Sequence, residues 1–116
     1  MFSLTLDDLA VELHETAVEK GFWNVINEDT TQEQKDIFIT KQLMMIVSET
    51  VEVMEAIRKS KGTDEVADEM ADIVIRTLDL YEGLREHGYV DKDLQTAFNN
   101  KVTINQSRPE RHGVKF

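Results

Sequence analysis

At about 100° per residue, Ile46, Thr50, Val53 and Ile57 fall on one stripe, and Leu43, Val47 and Met54 widen it. This spacing predicts a long helix from about Gln34 to Ser60, with Lys61-Gly62-Thr63-Asp64 as its stop. Val66, Met70, Ile73, Val74, Tyr81 and Leu84 repeat the period. They predict a third helix, capped by Thr63 or Asp64 and closed near His87 by Gly88. Ala67, Ala71, Ile75 and Leu78 spread its apolar surface well past half the circumference. That is more than one short bundle covers, and it points to an oligomer.

The flanking elements follow from their punctuation. Ser3 or Thr5 caps a first helix that runs to about Lys20, where Gly21 closes it. Phe22 to Asp36 mixes aromatics with Asn, Asp and Thr without a sustained period and reads as a connection. Asp91 is the expected cap of a fourth helix carrying Leu94, Ala97, Phe98, Lys101, Val102 and Asn105, which ends at Pro109 at the latest. The fold class is all-α, an antiparallel bundle of about four helices forming one domain over residues 1–116.

Composition narrows the function classes. Cysteine is absent, which removes disulfides, thiolate zinc sites and a cysteine nucleophile and fits a reducing compartment. No apolar run approaches a membrane span, and the N-terminus lacks the order of a secretory signal, so a soluble, cytoplasmic protein without membrane partners is expected. The formal charge of -10 repels a phosphate backbone and argues against nucleic-acid binding. Yet four basic residues against Glu110 leave the segment 101–116 at +3. An acidic body ends in a basic segment.

The candidate chemistry lies in that acidic body. In SETVEVMEAIRK, Glu49 borders the apolar stripe, Glu52 lies about 60° further round on the same side, and Glu55 points toward solvent. On the next helix Glu69 and Asp72 repeat the three-residue spacing beside Glu65, Asp68 and Asp79, with Arg76 among them. A hairpin of two such helices brings four carboxylates to one boundary between core and solvent. They repel one another unless a hard divalent cation such as Mg²⁺ takes oxygen ligands from them. On spacing alone, a solvated face with surface ion pairs is the commoner meaning.

Together, E49-x-x-E52 and E69-x-x-D72 resemble the ExxE…ExxD signature of the MazG-like, all-α nucleoside triphosphate pyrophosphohydrolases. The run Lys101…Asn105…Arg108-Pro-Glu-Arg111 and the early KGFWN stretch are similar to small single-domain members. The resemblance implies hydrolysis of a nucleoside or deoxynucleoside triphosphate between its α and β phosphates, with Mg²⁺ or Mn²⁺ in its place, as nucleotide house-cleaning. It implies Glu49, Glu52, Glu69 and Asp72 as metal ligands, Lys101 and Asn105 on phosphates with Arg108 and Arg111 as additions, and a homodimer or homotetramer. Related members act on dUTP, dCTP or phosphoribosyl-ATP, and the sequence does not choose among them.

Within that frame Glu52, or Glu55 in its stead, is expected to activate the water, with Glu49 beside it. Trp23 either stacks on the base or anchors the connection against the bundle. Lys41 and Gln42 are weaker candidates for the same pocket. His14, His87 and His112 show no metal spacing and are expected at the surface. The competing class is a non-enzymatic helical interaction module with an acidic docking face, which needs no divalent metal.

Overall fold

The computed structural model describes residues 4–109; Ser3, Arg111 and His112 lie outside them. Four helices follow one another: α1 Leu6–Glu19, α2 Gln32–Arg58, α3 Thr63–Glu86 and α4 Leu94–Ser107, with no strand among the described residues. The all-α class is as expected. No described helix is long and apolar enough to cross a membrane.

The helix starts are set by short polar side chains. Thr5 accepts from the Asp8 amide while the Asp8 carboxylate accepts from the Thr5 amide, and Thr31 and Gln34 repeat the arrangement at α2. α2 therefore begins two residues before the expected Gln34. Asp93, not Asp91, caps α4, its carboxylate accepting from the Thr96 amide at 2.7 Å. α3 starts at Thr63 from Gly62, whose φ of +102° turns the hairpin, and neither Thr63 nor Asp64 caps it.

α2 and α3 form the hairpin, and α1 packs on α3. The core between them is Ala17, Trp23, Phe38, Ile39 and Leu80, bordered by Ile26, Ile46, Leu84 and Tyr89. α4 contributes no buried residue. It is held to α1 by two reciprocal bonds, the Gln95 amide to Asp7 Oδ1 and the Leu6 amide to Gln95 Oε1.

One face is rotated from its expected place. α2 turns Phe38, Ile39, Glu49 and Ala56 inward, with Gln42, Met45, Ile46 and Val53 half-buried beside them. Leu43, Val47, Met54 and Ile57, expected on the core stripe, are exposed. The inward face is thus narrower and holds Glu49, while the more apolar side of α2 looks out of the chain.

Candidate metal and triphosphate site

The rotation of α2 and the antiparallel hairpin bring the two acidic motifs together. One carboxylate oxygen each from Glu49, Glu69 and Asp72 lie within 4.8 Å of one another. Glu49 is buried, Glu69 half-buried and Asp72 exposed, so the group opens to solvent on one side. The structure thus joins three of the four expected ligands directly. Glu52 is exposed, and its carboxyl group acts on that of Glu69 from close by.

That contact, helped by burial and by the charges of Glu52 and Glu49, pushes Glu69 up to about 7. Two carboxylates this close cannot both ionise cheaply. Glu69 Oε2 is buried with no hydrogen-bond partner. A buried Glu69 oxygen without a partner, beside two further carboxylates, suits a hard divalent cation. Such an ion supplies the missing positive charge, takes oxygen ligands and keeps waters. Glu55 is drawn away: Arg58 and then Lys59 hold it, and lower its pKa.

Arg76, one turn beyond Asp72, reaches the cluster from α3. Its Nε lies 3.5 Å from Glu49 Oε1. Arg76 lines two neighbouring openings of about 300 and 290 Å³, shared with Phe22 and Asp79. The first reaches Asp72 and Lys20, and the second holds Lys41, Gln42 and Met45. Lys41 and Gln42 thus do line an opening beside the acidic group.

Two expectations change. Trp23 is 6% exposed, its Nε1–H donating to Asp79 Oδ1 at 3.0 Å. His87 stacks on its ring at 5.9 Å, and His14 and Phe38 meet it edge-on. The indole is the anchor of the connection, with no open face for a base; the exposed aromatic beside it is Phe22. His14, expected at the surface, is 4% exposed because its Nδ1–H donates to the same Asp79 oxygen at 2.8 Å. Asp79 is accordingly not a solvated acid but the acceptor that fixes both rings. A period-based reading misses it, because Asp79 lies on the polar side of α3 and its partners come from α1 and the connection.

The phosphate-binding expectations that fall among the described residues lie on α4 and at its C-terminal end. Lys101 is exposed and α4 packs on α1. Asn105 is half-buried, with a side-chain oxygen that has no partner, and Arg108 is half-buried.

No curated protein and no solved structure matches the chain significantly. Residues 39–111, which contain all four acidic positions, match the MazG nucleotide pyrophosphohydrolase domain over more than half of the sequence, and the chain belongs to that family.

Proposed function

We propose that the chain is a divalent-metal-dependent pyrophosphohydrolase of nucleoside or deoxynucleoside triphosphates, cutting between the α and β phosphates to give the monophosphate and pyrophosphate. The observation that carries this is the convergence of Glu49, Glu69 and Asp72 within 4.8 Å, in a chain of the MazG family. Glu49, Glu69 and Asp72, with Glu52 at the margin, would hold Mg²⁺, or Mn²⁺ in its place. The bound ion would supply charge neutralisation for the phosphates and acidify water.

The chain's own groups do the rest. Glu52 is solvent-exposed next to Glu69 and can accept the proton of a water that adds to the α–β anhydride; the departing pyrophosphate takes the bridging oxygen. Lys101 and Asn105, with Arg108 and Arg111, are proposed to meet outer phosphates. With α4 packed on α1, they would do so by movement of α4 or from a neighbouring subunit. A homodimer or homotetramer is supported by the exposed Leu43, Met44, Val47, Val51 and Met54 of α2. A cytoplasmic house-cleaning role fits a cysteine-free chain, and an acidic one has no electrostatic affinity for nucleic acid.

The test is incubation of the purified protein with a panel of NTPs and dNTPs, with Mg²⁺ or with EDTA, and separation of products by ion exchange. Monophosphate and pyrophosphate appearing only with metal is the expected result. Intact nucleotides across the panel would overturn the proposal and leave the interaction module.

A further inference from the structure

We infer that Arg76 is a phosphate-binding residue of this site, held against Glu49 until metal and substrate arrive and then turned onto a phosphate of the nucleotide. The inference rests on the pyrophosphohydrolase proposal for its substrate, but it is carried by observations of its own. Arg76 is the basic side chain that the structure places in contact with the acidic group, its Nε 3.5 Å from Glu49 Oε1. Glu49 is the most enclosed ligand candidate, its side chain 12% exposed, whereas that of Arg76 is 40% exposed. The guanidinium therefore sits on the solvent side of the pair, where an incoming anion meets it first.

The surroundings favour an anion. Arg76 lines both openings, with Lys20 in the first and Lys41 in the second, so three cations line this cleft in a chain of net charge -10. Of the two acids on that wall, Asp79 is engaged by His14 and Trp23, and Asp72 belongs to the candidate ligand group. Lys101 lies on α4, which packs on α1. Among the described residues, the cation paired with a candidate ligand is Arg76.

The chemistry of exchange is simple. With Glu49 engaged by a divalent ion, Arg76 would lose the anion it pairs with. The freed guanidinium keeps a planar array of N–H donors that matches two oxygens of a phosphate. Before metal binds, the same pairing keeps a buried carboxylate from being an isolated charge. Arg76 thus compensates Glu49 in the empty site and the phosphates in the loaded one.

The experiment is calorimetric titration of inorganic pyrophosphate into the Mg²⁺-loaded full chain, for the unmodified protein and for Arg76→Ala, Arg76→Lys and, as a charge control, Arg58→Ala. Mn²⁺ binding without pyrophosphate is measured in parallel by water-proton relaxation. Loss of a charged hydrogen-bond donor predicts pyrophosphate binding weakened about tenfold to a hundredfold in Arg76→Ala. Arg76→Lys should fall between, since it keeps charge but not the fork, and Arg58→Ala should match the unmodified protein. Mn²⁺ affinity should hold or rise in Arg76→Ala, because a competitor for Glu49 is gone.

Unchanged pyrophosphate binding in Arg76→Ala would overturn the inference. So would an unmodified protein that binds no pyrophosphate, or a parallel loss of Mn²⁺ affinity, which would mark Arg76 as a support for Glu49 alone. A protein that turns over no nucleotide yet binds pyrophosphate through Arg76 would sink the hydrolase proposal and leave this assignment standing.

Discussion

Glu69 shows how single side chains are set for a cation. Its carboxyl lies against that of Glu52 and is pushed up to about 7. A glutamine there copies the shape and neutrality of the protonated acid. Glu69→Gln should therefore leave the melting temperature of the metal-free protein near pH 6 almost unchanged, while weakening Mn²⁺ binding by about tenfold or more and removing hydrolysis. Equal Mn²⁺ affinity in a titration would take Glu69 out of the ligand set. Asp79 makes the opposite case, since its role is packing. Asp79→Ala leaves the Nδ1–H of His14 and the Nε1–H of Trp23 without their acceptor. Buried donors so stranded cost about 2 kcal/mol or more in total, read from the urea midpoint, and Asp79→Asn, which keeps one oxygen, should lose less. The grouped acids Glu49, Glu69 and Asp72 were legible because a three-residue repeat on two successive helices is a local pattern that resembles a known signature. Asp79 was not, because what distinguishes it from Asp68 is two partners more than fifty residues away.

At the scale of elements, α3 turns a propensity rule around. Glycine inside a helix costs about 1 kcal/mol relative to alanine, so the sequence alone makes Gly83→Ala a stabilising change. In the structure a methyl at Gly83 would lie 2.1 Å from a ring carbon of Trp23, which is itself walled in by Phe38, His14 and His87. The substitution should instead destabilise by about 1–3 kcal/mol, as overpacking does, and show it as a lower thermal midpoint. His87, at the end of the same helix, adds a pH dependence. Burial, helped by the charge of Lys35, lowers its pKa below the ordinary 6.5, so the fold favours the neutral ring. That contribution is complete above about pH 6.5 and is lost as pH falls through the lowered value, because the unfolded chain takes the proton first. Stability should drop between pH 7.5 and 5.5 by an amount that His87→Gln reduces; a parallel drop in both proteins would refute it. The helices themselves were legible from period and caps to within a few residues. Which side of α2 faces α3 was not, since Leu43, Val47 and Met54 form as apolar a stripe as the one that is buried.

For the whole molecule, that outward stripe is the largest unresolved debt of the single chain. Leu43, Met44, Val47, Val51, Met54 and Ile57 are exposed along α2, and Met70, Val74 and Ile75 on α3 continue the apolar surface. Leaving such a surface in water forfeits roughly 25 cal/mol per Å² of apolar area that a partner would remove. A second copy offers the same stripe, and a two-fold axis lets α2 meet α2 without any new chemistry. Light scattering should therefore give a mass of at least twice 13.4 kDa, and Val47→Glu, which puts a charge in the middle of the stripe, should shift it toward one chain. Glu49 is two residues from Val47 but faces inward, so an assembly through this stripe rests on the back of the helix that carries the acids. If assembly holds α2 straight, the monomeric variant should keep its helix content by circular dichroism and lose turnover more than Mn²⁺ affinity. A chain that is monomeric at micromolar concentration, with full turnover, would show instead that the stripe needs no second copy for the site to work.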